Sequence, residues 1–261
     1  MRTRLLSWFS CGAASAVASK IAVDDYSDEF DVELVYCNLL ADEHPDNRRF
    51  IADVERWTGR PVKILAHPKY KTTEEVFRGV RYIVGPKGAP CTKMLKKEVR
   101  KAYQRPDDTH VLGFTSDEET RINDFDNDFP DLDTEWILRD RRITKQDCYR
   151  ILTGAGIKLP AMYLLGYRNN NCVGCVKGGM GYWNKIRRDF PEKFASMSAI
   201  EDEIGATILR DEKRVDGERV SFPLPLSQLS PGRGRHRDLD FDCNSFTCKA
   251  PLPTDAEGGE G

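Results

Sequence analysis

A short apolar run followed at once by a turn of small residues constrains the fold of this chain most. Leu5 to Phe9 has the character of a buried strand, and Ala13 to Ile21 is a run of small residues and helix formers. The segment Ser10-Cys11-Gly12-Ala13-Ala14-Ser15 joins them. Free backbone N–H groups, the helix dipole and the hydroxyls of Ser10 and Ser15 favour an anion at such a turn. The segment predicts a phosphate-binding loop without the lysine of the Walker type, and simple packing of small residues is the alternative.

Strands and helices alternate along most of the chain. Further strands are predicted at Val32 to Tyr36, Pro61 to Leu65, His110 to Phe114 and Leu132 to Leu138. Helices are predicted over 45–59, 93–103 and 144–154, the last opened by a capping box, and a mobile loop over 78–89. This alternation predicts an α/β fold with a doubly wound parallel sheet. Because ligands bind beyond the carboxyl ends of such strands, the 10–15 loop and the turn at 38–44 should face one crevice.

Length and charge bound the organisation of the chain. It has 261 residues and a formal net charge of −2, so bulk charge does not indicate nucleic-acid binding. We expect a nucleotide-binding domain at 1–160, a cysteine-bearing segment at 161–249 packed on it, and a disordered tail at 250–261. Within the second segment, a helix is predicted over 191–204 and a hairpin or loop over 211–218. Without a membrane-length apolar run or a secretory signal, a cytoplasmic protein with no membrane partner is expected.

The cysteines are the second chemical signal. Eight are present, and clustered cysteines in an intracellular chain indicate metal or redox sites before disulfides. Cys172 and Cys175 form a Cys-x-x-Cys motif, and Cys243 and Cys248 form a looser pair. Four thiolates suit zinc or an iron–sulfur cluster. Alternatively, Cys91 joins Cys172 and Cys175 and leaves one metal position open; redox thiols are the third interpretation, and spacing does not decide among them.

Six segments follow one another over about residues 4 to 180: Ser10 to Ser15, Tyr36 to Asn47, Cys91-Thr92-x-x-Leu95-Lys96, Gly113-x-x-x-Asp117-Glu118-x-x-Arg121, Trp136 to Asp147, and Gly166-Tyr167-Arg168 followed by Cys172-x-x-Cys175. In this collinear order they resemble the phosphoadenosine-phosphosulfate (PAPS) reductase family of the PP-loop adenine nucleotide alpha-hydrolase-like superfamily. The sequence departs from the family in three places. Cys11 replaces a loop glycine, Cys91 stands alone where many members have a tandem pair, and the terminal Glu-Cys-Gly-(Ile or Leu)-His motif is absent.

The resemblance implies roles for particular residues. The nucleotide-binding set that it implies is Ser10, Cys11, Gly12, Ala13, Ala14, Ser15, Asn38, Asp42, Gly113, Asp117, Glu118 and Arg121. It favours a [4Fe–4S] cluster over zinc, with ligands drawn from Cys91, Cys172, Cys175, Cys243 and Cys248. The candidate catalytic residues are Cys91, Cys243 and Lys96. At the end of the second strand, the carboxylates of Asp42 and Glu43 are also candidate ligands for Mg²⁺ or a ribose hydroxyl, with charge compensation of a helix as the alternative.

Three functions remain open. In the first, the loop binds ATP, an acceptor is adenylated, and sulfur from a sulfur donor then displaces AMP, which yields a thiolated base, nucleic acid or small molecule. In the second, the loop binds PAPS or adenylyl sulfate (APS) and a thiol reductant releases sulfite. In the third, the chain is a non-catalytic nucleotide- or nucleic-acid-binding module with structural zinc. Basic residues around Tyr182 and Trp183 make stacking on a nucleic acid or nucleobase an option, with a solvated basic face and Trp183 in the core as the alternative. A homodimer is a candidate assembly.

Overall fold

The computed structural model describes residues 3–86, 88–215 and 218–234. These residues separate into two compact units. The first unit holds 3–73 and 93–172, and the second holds 74–92 and 173–234, apart from the gaps just given. The first unit extends to residue 172, past the domain end predicted at residue 160. The tail predicted at 250–261 lies outside the described residues.

The first unit is built on a five-stranded parallel sheet. Its strands are β1 (Arg4–Trp8), β2 (Asp31–Cys37), β3 (Val62–Leu65), β4 (Thr109–Val111) and β5 (Thr134–Glu135), in the order β3-β2-β1-β4-β5. Every pairing is parallel, and Leu5 of β1 lies opposite Val32 of β2 and Thr109 of β4. The strand order changes direction between β1 and β4, which is where a doubly wound sheet opens a crevice at its carboxyl edge.

Helices cover both faces of this sheet. The helices of this unit are α1 (Ala13–Tyr26), α2 (Asn47–Thr58), a π-helix (Lys93–Glu98), α5 (Val99–Tyr103), α6 (Glu119–Asp128), α7 (Ile137–Asp140), α8 (Lys145–Gly154) and α9 (Ala161–Leu164). Two further helices, α3 (Thr73–Val80) and α4 (Pro90–Thr92), belong to the second unit apart from Thr73. Successive strand residues point to opposite faces. Leu5 and Leu34 therefore pack with α1, α2 and α8, whereas Leu6 and Val35 pack with α5 and α6.

After residue 172, the second unit combines two helices with a hairpin. Its elements after residue 172 are α10 (Met180–Asp189), α11 (Pro191–Ile204), β6 (Leu209–Val215), β7 (Glu218–Leu224) and a 3₁₀ turn (Leu226–Gln228), with β6 and β7 antiparallel. The buried carboxylate of Glu201 on α11 accepts hydrogen bonds from the backbone N–H groups of Ile208 and Leu226, each at 2.6 Å. This carboxylate therefore binds α11 to the residues just before β6 and just after β7.

The fold class predicted from the alternation is confirmed, and the differences are local. The helix predicted over 191–204 and the hairpin over 211–218 are both present. The strand predicted at 132–138 is wrong in its second half, because the apolar pair Ile137 and Leu138 begins α7; a short apolar run is compatible with a buried helix as well as a buried strand. The loop predicted at 78–89 begins with the last residues of α3. Among the described helices, none has both the length and the apolar character needed to cross a membrane.

Candidate functional site

The Ser10–Ser15 loop is closed by the side chain of Ser15. Its Oγ accepts a hydrogen bond from the backbone N–H of Ser10 at 3.0 Å and donates to the carbonyl of Gly12 at 3.0 Å. The hydroxyls of Ser10 and Ser15 lie 3.1 Å apart. Gly12 is the N-cap residue of α1, and no side chain caps this helix end. The loop therefore presents backbone N–H groups and hydroxyls at the positive end of a 14-residue helix.

Gly113, just beyond β4, lies against this loop. A Cβ built on Gly113 would lie 2.5 Å from the backbone nitrogen of Ser15 and 2.6 Å from its Cα. Both contacts are with backbone atoms, which cannot rotate away as the end of a side chain can. Glycine is thus required here for β4 to approach the start of α1, and the loop and Gly113 both lie where the strand order changes direction.

Cys11 holds an unusual backbone conformation within the loop. Its φ is +57°, in the left-handed region that disfavours side chains, and the residue is fully buried. The side-chain amide of Asn170 donates to the Cys11 carbonyl at 2.6 Å and to Asn47 Oδ1 at 2.8 Å. The surrounding hydrogen bonds thus fix the Cys11 peptide in a conformation that costs free energy by itself.

A buried carboxylate continues this network. Glu43 Oε2 accepts hydrogen bonds from the Tyr36 hydroxyl and from Asn47 Nδ2, both at 2.7 Å. Tyr36 also lies within hydrogen-bonding reach of the Cys11 thiol. The side chains of Tyr36, Glu43, Asn47 and Asn170 therefore form a chain of polar contacts that begins and ends at Cys11.

Lys96 supplies a buried positive charge to the same region. It lies on the π-helix, is 9% exposed, and its ammonium acts electrostatically on both Glu43 and Cys11. Burial raises the pKa of Glu43, an effect that Tyr36, Lys96 and Asn47 oppose. Burial and the neighbouring Glu43 raise the pKa of the Cys11 thiol well above its ordinary value. Single π-helical turns are frequent at functional sites, and this one carries the candidate catalytic lysine.

Asp42 and Asn38 follow β2 but are already engaged by the protein. Both carboxylate oxygens of Asp42 accept hydrogen bonds from Thr73, from its backbone N–H at 2.8 Å and from its hydroxyl at 2.6 Å. Asn38 Oδ1 accepts from the backbone N–H of Leu40 at 3.2 Å. Asp42 is therefore fixed by the first residue of α3, and Glu43 rather than Asp42 has a carboxylate whose pKa burial raises.

The residues after Gly113 form a local ion-pair set. Glu118 Oε2 accepts from the backbone N–H and from the hydroxyl of Thr115, both at 2.9 Å, and its other oxygen contacts the guanidinium of Arg121. That guanidinium lies over the ring of Phe114, 4.5 Å from its centre. Asp117 is exposed. This set shapes the turn after β4, and its contact with a nucleotide stays a prediction.

The cysteine site is described only in part. Cys172 is the last residue of the first unit and is partly exposed; in the second unit, Cys91 is partly exposed and Cys175 is buried. The predicted ligands and nucleophile Cys243 and Cys248 lie outside the described residues. Within 3–86, 88–215 and 218–234, no three His, Cys, Asp or Glu side chains are grouped as a metal site. Both the [4Fe–4S] cluster and zinc therefore stay predictions.

The aromatic pair Tyr182 and Trp183 belongs to the core of the second unit. Tyr182 is 7% exposed and Trp183 is not exposed at all. The Tyr182 hydroxyl accepts a hydrogen bond from the backbone N–H of Cys175 at 2.9 Å. The expectation that these rings offer a stacking surface is therefore wrong for this conformation, because both are covered by their own unit.

Two residues at the loop carried no signal in the sequence. The Tyr163 hydroxyl accepts a hydrogen bond from the backbone N–H of Ala13 at 3.3 Å, and Asn170 holds the Cys11 carbonyl. Both partners are more than a hundred residues away along the chain, so no local pattern marks them. Asn170 stands in a run of three asparagines, which by composition is an ordinary loop.

The fold and the loop define a doubly wound α/β protein whose small-residue loop lies at the point where the strand order reverses. A comparison with protein-family models and a comparison with curated proteins gave no match to this chain.

Proposed function

We propose that the chain is a PP-loop enzyme, related to the PAPS reductase family, that binds an adenine nucleotide and uses ATP to activate an acceptor for sulfur transfer. The observation that carries this proposal is the placement of the Ser10–Ser15 loop. It opens α1 at the carboxyl edge of β1, and Gly113 packs on it from the neighbouring strand β4. Loops at this point of a doubly wound sheet bind phosphate groups through backbone N–H groups.

The buried ammonium of Lys96 suits phosphoryl chemistry. In the adenylation step, an acceptor oxygen attacks the α-phosphorus, the bond to the pyrophosphate oxygen breaks, and pyrophosphate leaves with the electron pair. Negative charge develops on the phosphoryl oxygens during this step. The backbone N–H groups of the loop and Lys96 stabilise that charge, and Mg²⁺ supplies further neutralisation when bound. A hydrosulfide-class donor then attacks the activated carbon, and AMP leaves.

The described cysteines differ in their fitness for sulfur chemistry. Cys11 is fully buried and burial raises its pKa, so its thiol stays protonated at neutral pH and is a poor nucleophile. Cys91 and Cys172 are partly exposed and remain the candidates among the described residues. An iron–sulfur cluster, when bound by the predicted cysteines, supplies an iron position at which a sulfur atom can be carried.

Binding and product analysis test this proposal together. We expect the protein to bind ATP with an affinity that Lys96→Gln weakens by about tenfold or more, because a buried charge-assisted contact to phosphate is lost. Lys20→Gln is the matched control, since Lys20 pairs with Asp24 on the solvent side of α1. The measurement is calorimetric titration with ATP and with adenylyl sulfate, on protein purified without oxygen.

Product identity then separates the mechanisms. Release of pyrophosphate and AMP from ATP in the presence of sulfide and candidate acceptors supports adenylation. Release of sulfite from adenylyl sulfate or PAPS in the presence of thiols would replace adenylation by sulfonucleotide reduction. Absence of binding to both ATP and adenylyl sulfate contradicts the proposal outright.

A further inference from the structure

The hydroxyl of Tyr163 on α9 lies beside the Ser10–Ser15 loop and has a proton that it can donate. Its oxygen accepts a hydrogen bond from the backbone N–H of Ala13 at 3.3 Å, and the backbone N–H of Asn170 also acts on it. A phenolic hydroxyl has one proton to donate in addition to its acceptor positions. Among the described residues, no hydrogen-bond acceptor receives this proton.

The position of this hydroxyl relative to Gly12 indicates what group receives the proton. A Cβ built on Gly12 would lie 3.5 Å from Tyr163 Oη, 3.5 Å from Ser10 Oγ and 3.8 Å from Ser15 Oγ. Three hydroxyls thus surround the position that a side chain would occupy on Gly12, the N-cap residue of α1. Burial raises the pKa of Tyr163, so its proton stays in place at neutral pH. Because Ser15 already donates its proton to the Gly12 carbonyl, the Tyr163 hydroxyl is the donor that suits an anion oxygen at the positive end of the helix.

Asn170 gives an independent indication of a ligand-binding position beside the loop. The residue is 6% exposed, and its Oδ1 is buried without a hydrogen-bond donor among the described residues. The amide cannot be flipped to satisfy this atom. Its Nδ2 donates to the Cys11 carbonyl and to Asn47 Oδ1, and Asn47 is itself fixed because its Nδ2 donates to Glu43. A hydroxyl or amino group of a nucleotide supplies the donor that this acceptor lacks.

We propose that Tyr163 is a phosphate-binding residue of the Ser10–Ser15 loop, whose hydroxyl donates a hydrogen bond to a phosphoryl oxygen of the bound nucleotide. The inference rests on the proposed function, because it assigns a further ligand contact in the same site. Tyr163 lies beyond the domain end predicted from the sequence, so segment 161–172 becomes one wall of the nucleotide site instead of a part of the cysteine-bearing appendage. Asn170 is the positioning residue that fixes the Cys11 peptide behind it.

The test compares ligands that do and do not carry phosphate. Dissociation constants of ATP, inorganic pyrophosphate and adenosine are measured by calorimetry for the wild-type chain, Tyr163→Phe, Tyr149→Phe and Ser15→Ala. Tyr149 is the matched control, since its ring lies 5.3 Å from that of Tyr163. We expect Tyr163→Phe to weaken ATP and pyrophosphate by roughly 10- to 100-fold, the range for a hydrogen bond to a charged group, and to leave adenosine unchanged. Tyr149→Phe should change none of them.

The other outcomes contradict either the role of Tyr163 or the proposed function. Equal pyrophosphate affinity in Tyr163→Phe and the wild type, with weaker binding in Ser15→Ala, overturns the role of Tyr163 and leaves the proposed function intact. If Tyr163→Phe weakens the binding of ATP and of adenosine equally, Tyr163 has a structural role and the inference is overturned. A wild-type chain that binds neither ATP nor pyrophosphate overturns the proposed function itself. If Tyr163→Phe does not fold, 3-fluorotyrosine is incorporated at Tyr163, because this residue keeps the hydroxyl. Its fluorine resonance is then recorded with and without pyrophosphate. A resonance that pyrophosphate does not shift overturns the inference.

Discussion

At the scale of single residues, Cys11 combines a strained backbone with an unreactive thiol. Its φ of +57° is maintained because Asn170 fixes its carbonyl, and its thiol is buried next to Tyr36 and Glu43. Burial and the negative charge of Glu43 raise its pKa well above the ordinary value. Since the thiolate is the reactive form, a raised pKa and lack of solvent contact act in the same direction.

We therefore expect Cys11 to resist alkylation in the folded protein. Brief treatment of metal-free protein with iodoacetamide at about neutral pH should leave Cys11 unmodified while Cys91 and Cys172, which are partly exposed, react. Peptide mass spectrometry gives the modified fraction at each position. Denatured protein is the control, in which every cysteine reacts. Labelling of native Cys11 at the rate of Cys91 would show that the thiol is accessible and that the loop opens.

The residue scale is also where the sequence predicted least. Ser10, Gly12 and Ser15 were identified because they lie within one local pattern, and they do form the loop. Asn170 and Tyr163 were missed because each acts on the loop across more than a hundred residues of chain. Their roles depend on hydrogen-bond partners that only the tertiary structure brings together.

At the scale of elements, the approach of β4 to α1 sets the geometry of the site. Gly113→Ala should lower the free energy of unfolding by about 1–3 kcal/mol, the range for inserting a methyl group into a packed region. It should also weaken nucleotide binding, because the new Cβ would lie 2.5 Å from the Ser15 nitrogen and displace the loop. Urea denaturation and ATP titration measure the two effects on the same protein.

Gly154→Ala is the matched control for this prediction. Gly154 ends α8 in the same unit, and a Cβ there would meet nothing within 4 Å. Alanine favours a helix by about 1 kcal/mol over glycine, so this variant should be at least as stable as the wild type. If Gly113→Ala were as stable as Gly154→Ala and bound ATP normally, the close approach of β4 to the loop would not be essential.

Helices and strands were predictable from the sequence where a local motif, such as a capping box or a helix-ending glycine, is compatible with one structure only. The capping box of α8 is present as expected: the Thr144 hydroxyl accepts from the backbone N–H of Asp147 at 3.2 Å, and the Asp147 carboxylate accepts from that of Thr144 at 2.9 Å. The left-handed Gly59 ends α2 where the sequence placed that end. β4 and β5 are shorter than predicted, because apolar residues beyond a strand stay buried in turns and helices that pack on the sheet.

At the scale of the whole molecule, the first unit encloses a histidine in the centre of its sheet. His110 of β4 is fully buried, and its Nδ1 accepts a hydrogen bond from Trp8 Nε1 of β1 at 3.0 Å. The neutral imidazole has this acceptor, whereas the protonated ring has N–H groups at both nitrogens and would oppose the Trp8 N–H. Burial accordingly lowers the pKa of His110 to about 4.

Acidification should therefore destabilise the fold before its carboxylates titrate. With a pKa of about 4 when folded and about 6.5 when unfolded, His110 binds its proton more readily in the unfolded chain, so its contribution is complete above about pH 6.5 and is lost as pH falls toward 4. Between about pH 7 and pH 5 this loss amounts to about 2 kcal/mol. Urea denaturation at the two pH values measures it.

His110→Asn isolates this contribution from the other titrating groups. Its amide oxygen can accept the Trp8 N–H in the place of Nδ1 but takes up no proton. Burial raises the pKa of Glu43 and of Glu201, so these carboxyls bind protons more readily in the folded chain and oppose the loss on acidification, but they are present in both proteins. The wild type should thus lose about 2 kcal/mol more than the variant between about pH 7 and pH 5. Equal losses would mean that His110 accepts a proton inside the folded sheet, and that the Trp8 hydrogen bond does not hold the imidazole neutral.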